Sequence, residues 1–215
     1  MSTLIARLVV LATAFTVHEF AHAWTADRFG DNTPRVNGRL SLNPLVHLDP
    51  MGSLLLLVAG FGWAKPVPVN PYVLNRRSPA ALMWVSLAGP LSNFLMALIA
   101  AIPFRLDLVS YQQAVSDSYT AGQHLLPTLP QFLFEFIAIN LVLMLFNLIP
   151  LAPLDGDKIA AYFFPPAWAE TLERIRPYGP LLLLALFMAG PLIGIDIIGW
   201  MIRPAMNFLF DLLVL

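Results

Sequence analysis

From residue 80 to residue 104 the chain carries no charged side chain. A run of this length matches the roughly 20 apolar residues that a helix needs to cross a bilayer. Two other stretches are nearly as apolar: residues 3–24, with Arg7 and a polar cluster near the end, and residues 131–151, with Glu135, Asn140 and Asn147. A fourth, residues 180–202, holds Asp196 and is expected to break at Gly190-Pro191. Residues 51–64 are too few to span and are expected to re-enter or lie at the interface. The tail from residue 204 to 215 is expected to lie along the surface as a helix.

Composition agrees. Hydrophobic residues make up 58% of the 215 and charged residues 12%, with a mean hydropathy of +0.73. Soluble domains have roughly 45–50% and about 25%, and this chain has too little charge to cover a water-facing surface. The expected fold is an all-α polytopic membrane protein. It would be a helical bundle of about four to six spans, forming a single membrane-embedded domain over residues 1–215.

With 12 basic and 13 acidic residues there is no basic field for nucleic acid. Cysteine is absent, which removes disulfides, thiolate metal sites and a cysteine nucleophile. A metal would have to be held by His, Asp or Glu. The first apolar run is interrupted by His18-Glu19 and lacks a basic n-region, so it is expected to be a retained helix and not a cleaved signal.

Basic residues set an expected orientation. Arg28, Arg35, Arg39, Lys65, Arg76 and Arg77 lie between the first two spans, and Lys158, Arg174 and Arg176 follow the third. Residues 105–130 hold one Arg and two Asp. Both basic stretches are expected to be cytoplasmic, which places the N-terminus outside.

Between the first two spans, residues 63–71 alternate Pro with small apolar residues. Pro favours sheet edges, and an open edge at Lys65, Pro66, Val67, Pro68, Val69 and Asn70 would let an extended peptide add as a strand. An ordinary Pro-rich loop fits this stretch equally well.

His18-Glu19-Phe20-Ala21-His22 is an H-E-x-x-H motif in the first apolar run. Residues four apart share a helix face, so both imidazoles can meet one ion. Zinc suits imidazole and usually takes three protein ligands plus water in hydrolytic sites. Glu19 is placed to take a proton from that water. Ionisable groups in a span cost roughly 2.5–3.5 kcal/mol each on insertion scales and point to function. A third ligand should lie at the same depth. The first and third spans both descend inward, which brings Asp155, after Pro150 and Pro153, to the inner end beside His18 and His22. Alone, Asp155-Gly156 would be a turn.

Taken together these motifs resemble the site-2 protease family of intramembrane zinc metalloproteases. The resemblance is carried by H-E-F-A-H at residues 18–22 and N-L-I-P-L-A-P-L-D-G at residues 147–156. N-P-L-V-H-L-D-P-M-G at 43–52, G-W-A-K-P-V-P-V-N-P at 62–71 and A-G-P-L-S-N at 88–93 reinforce it. The chain is similar to the compact subgroup without a PDZ or CBS domain. Ala152 departs from the pattern, since many relatives carry Pro there.

The resemblance implies one zinc ion held by His18, His22 and Asp155, Glu19 as base, and Asn147 binding or polarising the scissile carbonyl. The expected partners are a membrane-protein substrate and the lipid bilayer of a bacterial-type cell membrane, and the Lys/Arg distribution places the active site near the cytoplasmic side. A metal-binding transporter or a silent scaffold are the competing classes; a transporter would not need Glu19.

Asn93 is expected to act as packing glue between helices. His47 is expected to be structural, or to line a water path. His124 is given no role, and those of Glu135 and Asn140 are open. Arg7 is expected to snorkel to the outer interface. Gly190 and Gly194 have the G-x-x-x-G spacing, which leaves the oligomeric state open.

Overall fold

A computed structural model of the chain describes residues 2–52, 62–120, 126–194 and 196–215. In chain order the helices are α1 (Ser2–Arg28), α2 (Thr33–Val36), α3 (Pro44–His47), α4 (Pro71–Arg77), α5 (Ala81–Arg105) and α6 (Tyr111–Tyr119). They continue with α7 (Leu129–Asn147), α8 (Asp155–Phe163), α9 (Pro166–Ile175), α10 (Gly179–Ile193) and α11 (Ile197–Val214). Four described helices are long and apolar enough to cross a membrane: α1 from Leu4, α5, α7 and α11. The protein is an all-α polytopic membrane protein.

Why α1 and α5 pack is visible in their sequences. On α1, Ala6, Val10, Ala14, His18, His22 and Ala26 recur every four residues, and all are buried. On α5, Ala81, Val85, Gly89, Asn93, Ala97 and Ala101 do the same. Small side chains in such rows let two helix backbones approach closely. The rows run antiparallel. Ala26 shares a buried cluster with Ala81 and Val85, and His18 meets Asn93 further along.

Helix α7 closes the bundle against α1 and α5, and α11 packs on α7 and α5. The main core joins Ala97, Ala101 and Phe104 of α5 to Ile137, Leu141 and Met144 of α7 and Leu213 and Val214 of α11. Arg7 of α1 pairs with Glu135 of α7 at 3.1 and 3.4 Å. The Arg7 side chain is more than half exposed and that of Glu135 largely buried. Beyond the interface position expected of it, Arg7 thus supplies the countercharge that Glu135 needs.

The C-terminal quarter differs from expectation. Helix α10 runs through Gly190-Pro191 and ends at Gly194, whose left-handed φ of 69° stops it. Asp196 then caps α11 by accepting from Gly199 N–H at 2.8 Å. Pro204 lies inside α11 and does not start a surface helix. The end of α11 is held by Arg105, which donates to the carbonyls of Leu212 and Leu213. The expected span over residues 180–202 is therefore corrected to two helices divided at residues 194–196.

The described residues between α1 and α5 are anchored individually. Leu48 and Ala64 form one antiparallel bridge, and no strand is found among the described residues. Residues 65–70 run as an irregular strap. Lys65 N–H donates to His47 C=O at 2.7 Å, Arg39 donates to Pro66 C=O at 3.2 Å, and Asn70 N–H donates to Asp31 at 2.6 Å. Most of the piece expected to re-enter, residues 53–61, lies outside the described residues, as does His124.

Candidate metal centre

The α1 helix presents His18 and His22 on its buried row, and α5 receives them. His18 Nδ1 lies 2.6 Å from Asn93 Oδ1, and His22 Nδ1 lies 2.7 Å from the Val85 carbonyl. A backbone carbonyl only accepts, so His22 donates from Nδ1 and its Nε2 carries a free lone pair. The same follows for His18 through a longer route. Asn140 Nδ2 donates to the Phe136 carbonyl at 2.9 Å, and Asn140 Oδ1 accepts from Asn93 Nδ2 at 2.9 Å. This turns Asn93 Oδ1 toward His18. One carbonyl on α7 thereby fixes the direction of every bond back to the imidazole. Such partners on the far ring nitrogen are what orient metal-binding histidines.

Asp155 completes the group. Its Oδ2 is 3.2 Å from Nε2 of both His18 and His22. It opens α8, which packs on α5. Gly156 makes this placement possible. A Cβ there would sit 2.3 Å from the Ile149 carbonyl and 2.4 Å from that of Leu148, so only glycine lets α8 start against the end of α7.

These side chains fit a zinc ion. Tetrahedral zinc with ligands at about 2.0–2.1 Å separates their atoms by about 3.3 Å. The two His–Asp separations are 3.2 Å, and all three ligand atoms lie within 4.8 Å of one another. Space is kept open by Gly89, where a Cβ would lie 2.4 Å from His22 Nε2 and 2.5 Å from His18 Nε2. Glu19, buried, and Asp155, largely covered, also bring two carboxylates beside the imidazoles, an arrangement that a divalent cation balances.

Glu19 is buried and its Oε2 accepts from Val67 N–H of the strap at 3.0 Å. The strap therefore reaches the centre through Val67. Asn147, at the end of α7, donates to the Leu143 carbonyl at 2.9 Å and is half-buried. His47 is fully buried at the base of the strap, with Nε2 2.7 Å from Ser41 C=O, and is not one of the three converging groups.

Gly89 and Asn93 are the site residues that motif reading undervalued. The signal was their shared four-residue row with Val85 on α5, which matches the His18–His22 spacing. Asn93 is not mere packing glue, because it holds an imidazole directly.

Comparison with known proteins now bears on the centre. The family model described as Peptidase family M50 matches residues 6–190. The chain is 43% identical over 182 residues to "Putative zinc metalloprotease YwhC" of Bacillus subtilis strain 168, covering 84% of this chain and 79% of that one. It is 32% identical over 185 residues to the Mycobacterium tuberculosis (strain H37Rv) protein Rip2, which bears the same description, covering 83% of this chain and 64% of Rip2. No solved structure matches. The metal expected in a centre of this kind is zinc, and the chain belongs to peptidase family M50, the site-2 protease family.

Proposed function

We propose that the chain is an intramembrane zinc metalloendopeptidase that hydrolyses peptide bonds in or next to transmembrane segments of membrane proteins. The observation that carries this reading is the meeting of His18, His22 and Asp155 inside a bundle of apolar helices, with Glu19 on the same turn of α1. His18, His22 and Asp155 hold the metal. Zinc, when bound, supplies Lewis-acid polarisation of water and of the scissile carbonyl.

Glu19 accepts the proton of the attacking water and returns it to the leaving amine. Its carboxylate is steadied for both transfers by the Val67 N–H. Asn147 releases the Leu143 carbonyl and donates to the developing oxyanion, a contribution of about 3 kcal/mol for one well-placed donor. A helical substrate must first unwind, because its carbonyls are already bonded. Residues Lys65, Pro66, Val67, Pro68, Val69 and Asn70 hold the unwound stretch extended. What supports that assignment is the position of the strap beside the base, where Val67 N–H meets Glu19.

The chain acts as one membrane-embedded domain over residues 1–215. It sits in a bacterial-type cell membrane with its N-terminus outside and the centre toward the cytoplasmic side, as the distribution of Lys and Arg indicates.

The test compares the purified chain with its Glu19→Gln variant for zinc content and for cleavage of a transmembrane model substrate. Zinc in both, with cleavage by the wild type alone, is the expected result. Equal cleavage by both, or no zinc in either, would overturn the proposal.

A further inference from the structure

The end of α1 and the end of α4 create a second polar feature away from the metal centre. Arg28, the last residue of α1, and Arg76 and Arg77, the last two of α4, all exposed, line an open surface cavity of about 340 Å³ with Phe29, Gly30 and Val73. None of these three arginines forms an ion pair with a carboxylate of the described residues. The acid next to Arg28, Asp27, is already engaged by Arg35 at 2.9 and 2.7 Å. A basic residue at a helix C-terminus offsets the helix dipole, but that does not call for three around one cavity.

The walls are firm. Leu74 of α4 is fully buried with Ala26 of α1 and Ala81 and Val85 of α5, and Asn70 caps α4 by accepting from Tyr72 and Val73 N–H. The position along the bilayer follows from length. The span Leu4–Arg28 has 25 residues, about 37 Å at 1.5 Å each, against about 30 Å of hydrocarbon. An overrun of the apolar layer at this end of α1 brings Arg28 to headgroup level. Trp24, one turn earlier and exposed, lies under the Arg28 guanidinium at 5.0 Å, and Tyr72 lies 5.7 Å from that of Arg76. Trp and Tyr favour this same interfacial layer.

Guanidinium groups only donate, stay charged and match phosphate oxygens two at a time. Three around one cavity select a phosphate and repel a lipid head that carries its own ammonium. We propose that the Arg28–Arg76–Arg77 cavity binds the phosphate group of an anionic membrane lipid.

The experiment titrates the delipidated, detergent-solubilised full chain with short-chain phosphatidylglycerol, phosphatidylcholine or inorganic phosphate, following the melting temperature. The comparison is with Arg28→Gln/Arg76→Gln/Arg77→Gln, and with Arg77→Gln alone in case the triple variant folds poorly. Zinc content and circular dichroism check the fold of each. Phosphatidylglycerol should stabilise the wild type saturably, with an apparent affinity at least tenfold weaker in the triple variant and intermediate in the single one. Phosphatidylcholine and inorganic phosphate should stabilise the wild type with apparent affinities at least tenfold weaker than phosphatidylglycerol. Unchanged phosphatidylglycerol affinity in folded variants would overturn the proposal. So would an equal response to phosphatidylcholine. Inorganic phosphate acting as strongly as the lipid would reassign the cavity to a soluble anion.

Discussion

Asn93 of α5 accepts a hydrogen bond from His18 of α1 across 2.6 Å, with both side chains buried. Replacing Asn93 with Leu leaves the His18 Nδ1 proton without a partner and the ring free to turn or change tautomer. Zinc affinity should fall about 10- to 100-fold, the range typical of such supporting residues. Asn93→Asp keeps an acceptor for His18 and should recover much of that loss. Competition with a chromophoric chelator measures both, and equal affinities for the Leu variant and the wild type would refute the role.

Gly89→Ala separates folding from metal binding. An alanine gains up to about 1 kcal/mol of helix propensity over glycine, yet its methyl would occupy the space between the two Nε2 atoms. The variant should stay folded by circular dichroism while losing most of its zinc and its proteolysis. Full zinc occupancy in this variant would contradict the geometry.

The start of α8 carries an ion pair close to Asp155. Arg176 Nε lies 2.8 Å from Asp157 Oδ2, and Asp157 is almost fully buried. Arg176→Ala strands a buried carboxylate. Because Arg176 is partly exposed, the cost should be nearer 2 than the roughly 3–5 kcal/mol of a wholly buried pair. Arg176→Ala with Asp157→Asn should recover part of it, which thermal melts of the single and double variants can show.

Removing the metal should also lower stability. An ion that binds only the folded chain adds about 2.7 kcal/mol when present at 100 times its Kd. Chelation should therefore lower the melting temperature of the wild type and leave a His18→Ala/His22→Ala variant almost unmoved. Adding zinc back should restore the first and not the second.

Hydropathy made three long helices legible to within about one turn of their ends, because insertion into lipid sums a local property of each run. The ends of α5 differ from the expected residues 80–104 by a single position each. The division between α10 and α11 was not legible. Gly190-Pro191 looks like the stronger breaker, but the stop is a backbone conformation at Gly194 that composition does not announce. In the site, His18, Glu19 and His22 follow from spacing on one helix, and Asp155 from counting spans. Which residue of α5 faces His18 depends on how two helices slide against each other, and neither sequence alone contains that.

The four-residue rows on α1 and α5 also have a meaning for assembly. Where these rows are built of small residues they act as a ruler with repeated marks: shifting one helix by four residues, about 6 Å, brings small side chain against small side chain again. Apolar contact alone would tolerate several such alignments. Only one sets His18 on Asn93 and His22 on the Val85 carbonyl, and every other leaves buried polar groups without partners in hydrocarbon. The side chains that gather at the metal centre are thus also the keyed notch by which the bundle finds its one correct alignment.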